Sequence, residues 1–120
     1  MKLNTIKEHY KNGMPHREYT VNEKGQVHGT YKDWYPNGQL WVQREYVNNK
    51  LHGIEHIWDD DGMMRYKSQY NHGDTLITVR FQTNFVEIVM HGIKLEPTGW
   101  LAKLIIQLIN EGTKLELTHH

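Results

Sequence analysis

From residue 27 to residue 47 apolar and polar side chains alternate on either side of a Pro-Asn-Gly. "VHGTYKDW" runs into "YPNG", and "QLWVQREYV" runs out of it. Period-two alternation flanking Asn-Gly predicts two antiparallel strands joined by a tight turn. The pattern then repeats. His28-Gly29, Trp34, Gly38, Leu40 and Tyr46 return as His52-Gly53, Trp58, Gly62, Met64 and Tyr70, each 24 residues later. A looser copy comes first: "YKNGMPHREY" (10–19) parallels "YPNGQLWVQREY" (35–46) with two residues missing, and "YNHGD" (70–74) begins a further copy that stops short. The chain therefore reads as three hairpin units, about 8–28, 29–52 and 53–74, a periodicity that points to a repeat architecture.

The turn type fixes which side chains share a face. A two-residue type I′ turn on Asn37-Gly38 would pair Tyr35 with Leu40. A type I turn over Tyr35-Pro36-Asn37-Gly38 with a glycine bulge puts proline where it is favoured and glycine where a left-handed residue is needed. The second choice pairs Trp34 with Leu40. It is expected to gather Trp34, Leu40, Val42 and Tyr46 on one face and Tyr35 and Trp41 on the other, and in the next unit to gather Ile54, Trp58, Met64, Tyr66 and Tyr70. A one-residue slip would reverse every side chain. Gly13, Gly38 and Gly62 are the expected turn glycines.

Beyond Asp74 the pattern changes. "TLITVRF" and "FVEIVM" predict two more strands with "QTN" as their turn. Pro97 and Thr98 open a helix over about 98–110 in which Trp100, Leu101, Leu104, Ile105, Leu108 and Ile109 recur at helical spacing, and "TKLEL" can add an edge strand. A repeat array leaves its last unit uncovered, so this apolar flank is expected to cap the final strands, with docking of a partner or a second copy as the alternative. The predicted fold is mostly β with one C-terminal helix. Antiparallel hairpins over 1–74 form a twisted sheet, capped by the strands and helix of 75–120 in one continuous domain.

Composition narrows the chemistry. There are 14 basic and 14 acidic residues, ten of each through Asp74 and four of each after it. Neither half is built to hold a long nucleic acid by charge. The absence of cysteine removes disulfides and thiolate sites. No apolar run is long enough to span a bilayer, and the expected location is the cytoplasm. No phosphate loop, nucleophile elbow or His-Glu-x-x-His motif is present, so no enzyme is predicted and no cofactor is expected.

The aromatic pair, Asn-Gly, tyrosine and closing His-Gly of "HGTYKDWYPNGQLWVQREYVNNKLHG" resemble the MORN repeat, and more closely the variant found in bacterial and phage proteins of antitoxin-like type. The resemblance covers about residues 8–74. It implies hairpins laid into a long twisted antiparallel sheet, used as spacers, docking surfaces or lipid-associated modules. The sequence departs from the pattern at "WDDDG", where Asp59 replaces the second aromatic, and in the shortened first copy.

Three candidate sites remain. His28, His52, His56 and His72 could hold zinc only if the backbone folded back, since four residues of strand span roughly 13 Å. The alternative is that these are repeat-closing turn residues. "DDDG" (59–62) lacks the spaced ligands of a calcium loop and sits where Asp and Gly form turns. The aromatic set is richer: Tyr35, Trp41 and Trp58 with Arg44 and Arg65 suit a protein docking surface, where Trp, Tyr and Arg dominate, or an aromatic and arginine groove for a small nucleotide. Cross-strand packing is the plainer use of such side chains. The expected function is a non-enzymatic protein-interaction module, an antitoxin-like or phage-type inhibitor that occludes a protein partner, with nucleotide sequestration as the alternative. A homodimer is compatible with either.

Overall fold

The turns set the architecture. In a computed structural model of the chain, which describes residues 1–92 and 99–119, the Gly38 N–H donates to the Tyr35 carbonyl at 3.0 Å and the Tyr35 N–H to the Gln39 carbonyl at 2.9 Å, with Gly38 at φ +90°. This is the type I turn with a glycine bulge that Pro36 favours. Matching bond pairs close Tyr10–Gly13 and Asp59–Gly62, with Gly13 at φ +86° and Gly62 at +84°. Asn22–Gly25 closes identically, although the repeat pattern did not single it out. Two connections are instead two-residue turns with both central residues left-handed, Asn48-Asn49 and His72-Gly73.

Between these turns run β1 (Asn4–His9), β2 (Pro15–Val21), β3 (Val27–Trp34), β4 (Leu40–Val47), the short β5 (Lys50–Leu51), β6 (Gly53–Trp58), β7 (Met64–Asn71), β8 (Asp74–Phe81) and β9 (Phe85–Met90). They form one twisted, open sheet, each strand antiparallel to the next, with β5 paired to β4 just ahead of β6. The chain then forms the helix α1 (Gly99–Asn110) and returns as β10 (Lys114–His119), parallel to β9 at the sheet edge. Pro97 and Thr98, expected to open the helix, lie outside the described residues. No helix among the described residues is long and apolar enough to cross a membrane.

The register corrects the predicted faces. Trp34 pairs with Leu40 as expected, but Asp33 pairs with Val42, so Trp41 is an extra residue in β4. This one-residue bulge reverses the alternation beyond it. Trp34 and Leu40 share a face with Lys32 and Gln43, whereas Val42, Arg44 and Tyr46 lie on the opposite face with Asp33 and Tyr31. In the next unit Trp58 pairs with Met64 and Ile57 with Tyr66, leaving Arg65 extra, so Ile54, Trp58 and Met64 are separated from Tyr66 and Tyr70. The first hairpin has its extra residue at His16. Each bulge falls three residues after the turn glycine. Tyr35 and Trp41 do lie opposite Trp34, as expected, and their rings stack at 4.9 Å.

The apolar core sits at the C-terminal end. Ile77 and Val79 of β8 and Val86, Ile88 and Met90 of β9 project from one face onto Leu101 and Leu108 of α1, all buried. Trp100, Leu104, Ile105 and Leu115 pack around them. Of the six helix residues expected to form the cap's apolar flank, Trp100, Leu101, Leu104, Ile105 and Leu108 pack in or against this core, whereas Ile109 is 59% exposed. Trp100 also ties the cap to the repeats: its indole N–H donates to Gln69 Oε1 at 3.1 Å, and the Lys67 ammonium lies 4.6 Å from the ring centroid.

Candidate functional site

The bulges create a row of paired side chains at the hairpin tips. In each tip the first residue of the turn meets the bulge residue six positions later. Tyr10 stacks on His16 at 4.3 Å, Tyr35 stacks on Trp41 at 4.9 Å, and in the third copy Asp59 holds Arg65 through Nη2 at 2.7 Å and Nε at 2.8 Å. Two ring stacks and an ion pair thus occupy one position in three successive units. Alternate strands of a sheet are about 9 to 10 Å apart, which sets the spacing of the row.

Hydrogen bonds lock neighbouring tips together. The Tyr10 hydroxyl donates to the Trp34 carbonyl at 2.6 Å, the Tyr35 hydroxyl to the Trp58 carbonyl at 2.8 Å, and Asn37 Nδ2 to the Asp60 carbonyl at 2.9 Å. Burial, with Asp60 and Asp59 nearby, raises the Tyr35 phenol above its ordinary value, which keeps it a donor. Asp59 ends the series. Its Oδ1 accepts the Asp61 and Met63 amides and its Oδ2 takes Arg65, so the departure from the repeat pattern falls at the last tip, and the next connection on the same side of the sheet is the unlike Gln82–Phe85 turn.

Arg44 belongs to a different arrangement. Its Nε lies 2.5 Å from Glu55 Oε2 across β4 and β6, and Tyr70 donates to Glu55 Oε1 at 3.3 Å. Further along the same face, Arg17 Nε donates to Asp33 Oδ1 at 3.0 Å and the Tyr31 hydroxyl to Asp33 Oδ2 at 3.1 Å. The guanidinium carbons of Arg17 and Arg44 lie 5.9 and 6.0 Å from the Tyr31 ring centroid. Asp33, Glu55 and Ser68 are buried on this face. Burial works against the Arg44 charge, but the hydrogen bond and attraction of Glu55 outweigh it and raise the guanidinium. Burial, and then Asp33, push the Tyr31 phenol up to about 12. The network replaces an apolar layer where no helix covers the sheet.

The histidines close repeats. His28 Nδ1 accepts the Asn48 amide at 3.3 Å and His52 Nδ1 the His72 amide at 3.2 Å, a bond repeated 24 residues on. The His52 and His72 rings meet at 4.3 Å, while His56 stacks on Trp58 at 5.4 Å. The glycine after each closing histidine is left-handed, and at Gly29 a Cβ would come within 2.7 Å of Thr20 Oγ1. At the third tip, ligand atoms of Asp59, Asp60 and Asp61 lie within 4.8 Å of one another; Asp59 is already engaged as described.

Of the predicted binding residues, then, Tyr35 and Trp41 come together, and Arg65 holds the equivalent place one hairpin along. Arg44 is held by Glu55, and the Trp58 ring lies on the other face, with only its carbonyl at the tip row. Tyr10, His16 and Asp59 were missed as members of the row. The signal for them is the constant three-residue offset between turn glycine and bulge.

Residues 27–48, which span β3, β4 and their turn, match the family described as the MORN repeat variant. MORN repeats generally mediate protein or membrane interaction. No curated protein and no solved structure matches the chain.

Proposed function

We propose that the chain is a non-enzymatic protein-interaction module whose hairpin-tip row binds and occludes a partner protein, in the manner of an antitoxin-like or phage-type inhibitor. The observation that carries the reading is Trp41. It is 40% exposed, outside the apolar core, and held in place by a bulge and by the Tyr35 ring beneath it. Met14 and Met63, beside the turn glycines of the neighbouring tips, are exposed at 41% and 61% and extend the apolar surface on either side. A rigid stacked tryptophan with an arginine one hairpin away is the composition of a binding hot spot, and methionine suits an adaptable rim.

The test is capture from the source cell by the wild-type chain and by Trp41→Ala, followed by titration of the captured protein. Trp41→Ala is expected to keep the fold and weaken binding by about 2 kcal/mol or more, roughly thirtyfold. Unchanged affinity for the captured partner would remove the tip row from the interface.

A small-ligand reading, a nucleotide held between aromatics and arginines, rests on a different place. Arg65, Tyr66, Arg80, Phe81 and Gln82 line a depression of about 210 Å³. There Arg80 Nε is buried without a hydrogen-bond partner among the described residues. Against it, Arg65 and Arg80 already face the carboxylates of Asp59 and Glu87, the latter at 3.5 Å. Calorimetric titration with nucleoside mono- and triphosphates, compared with Arg80→Ala, separates the two readings.

A further inference from the structure

We infer that the hairpin-tip row takes a proline-rich segment of its partner in the polyproline II conformation, with two prolines three residues apart on the ring stacks and a basic residue three further on at the acidic tip. The inference deepens the interaction reading above and rests on it. Three observations carry it. First, the row has a repeat length. The turns Tyr10–Gly13, Tyr35–Gly38 and Asp59–Gly62 lie on one rim of the sheet, two strands apart, and equivalent bonds link each to the next: the Tyr10 hydroxyl donates to the Trp34 carbonyl and the Tyr35 hydroxyl to the Trp58 carbonyl. Two inter-strand spacings make about 9 to 10 Å. A polyproline II helix returns to the same side every three residues, a rise of about 9.3 Å. In a β-strand the third residue points to the opposite face. An α-helix needs about seven residues for the same rise, and its width of about 10 to 12 Å calls for a groove rather than a rim of turns.

Second, the row is surfaced for proline. His16 lies on Tyr10 and Trp41 on Tyr35 with interplanar angles of 21° and 22°, which makes two flat aromatic plates of fixed orientation. Met14 leans over Gly38, its Cε 3.3 Å from where a Cβ would stand, and fills the interval between those two tips with an apolar side chain. Proline-rich segments dock on aromatic surfaces of this kind. Their carbonyls make no internal hydrogen bonds and accept from donors such as the Trp41 indole N–H.

Third, the charge changes along the row. At the third tip Asp59, Asp60 and Asp61 stand together against one guanidinium, Arg65, which Asp59 engages. Asp60 and Asp61 are exposed. The interval before this tip is filled by a polar group, Gln39 Oε1, 2.9 Å from where a Cβ on Gly62 would stand. A row that is aromatic at two steps and acidic at the third suits a ligand that is apolar twice and then cationic, and it repels the phosphates of a nucleic acid.

The experiment is fluorescence-anisotropy titration of the full chain with labelled peptides built on Pro-Ala-Ala-Pro-Ala-Ala-Arg and on its reverse, Arg-Ala-Ala-Pro-Ala-Ala-Pro, since a polyproline II ridge offers the same spacing in either direction. One of the two is expected to bind. Placing its second proline four residues from the first instead of three should weaken binding by about tenfold or more, and so should Trp41→Ala with an unchanged circular dichroism spectrum. Asp60→Asn/Asp61→Asn should weaken the arginine peptide by about threefold and leave its glutamine counterpart unaffected. Failure of both peptides to bind overturns the inference, as does binding indifferent to the proline interval, to Trp41→Ala or to the aspartate exchange. The reading of the row as an interface fails separately. If Trp41→Ala weakens the captured partner's binding while neither peptide binds or competes, the row remains the interface and the ligand class is wrong; a captured partner indifferent to Trp41→Ala removes the row itself.

Discussion

Replacing Arg44 by alanine tests whether the polar face is a structural layer or a binding surface. Arg44 Nε lies 2.5 Å from Glu55 Oε2, and the Glu55 side chain is 8% exposed against 29% for Arg44. Removing the guanidinium leaves a buried carboxylate whose remaining hydrogen-bond partner among the described residues is the Tyr70 hydroxyl at 3.3 Å. Breaking such a pair from one side costs about 3 to 5 kcal/mol when both ends are dry. The partial exposure of Arg44 admits water to the vacated space, so a smaller cost, about 2 to 3 kcal/mol, is expected. For 120 residues, an unfolding entropy of about 2.1 cal/mol/K per residue turns this loss into roughly a 10 °C drop in Tm. Urea unfolding followed by tryptophan fluorescence measures it directly. The double variant Arg44→Met/Glu55→Leu should recover most of the loss, because no charge is then stranded. The reasoning is refuted if Arg44→Ala changes stability by less than about 0.5 kcal/mol, the scale of a surface substitution, or if the double variant is less stable than the two single losses combined. Binding of any captured partner should survive Arg44→Ala; its loss in a fully stable variant would return Arg44 to the interface.

Two further outcomes follow from the turns and from His56. Gly38→Val forces a β-branched residue to φ +90° and should cost about 1 to 3 kcal/mol, whereas Gln43→Val in mid-strand should stay within about 0.5; equal melting temperatures would contradict the turn assignment. Burial, and then the Lys67 charge, lower the His56 pKa, so as pH falls the unfolded chain takes up this proton before the folded one does. The contribution of His56 is therefore complete above about pH 6.5 and is lost as pH falls through the depressed folded value. The stability difference between wild type and His56→Gln should shift against the wild type over that window, and a difference constant with pH would refute the assignment.

What the sequence disclosed and what it hid divide along a physical line. Pro36 and the turn glycines act within one hairpin, and they specified the turn type and the Trp34–Leu40 pair. The helix flank was legible because its 3.6-residue period is unlike anything before it. The bulges were not legible by residue type, since His16, Trp41 and Arg65 share no chemistry. Leu40 and Val42 are both apolar, so the pattern did not reveal that a residue had been inserted between them. For the same reason Val42 and Tyr46 were assigned to the wrong face. The Arg44–Glu55 pair depends on how one unit docks on the next, with Val42 opposite Ile57, which no alternation inside a single unit encodes. Tyr35 and Trp41 could be placed together because both lie within one tip.

The change from antiparallel to parallel pairing at the last strand gives the molecule two different responses to tension. A pull applied at both termini meets β1 and β2 at the same end of their shared ladder, so the bonds rupture singly, as a zipper opens, and each hairpin in turn peels away. At β9 and β10 the strands run side by side in one direction, and the same pull grips them at opposite ends. All the bonds of that ladder then bear load together in shear, beneath a helix that must be stripped from its core for the strands to slide. Under such a pull the chain would lengthen from its N-terminal side at low force and resist at its last two strands.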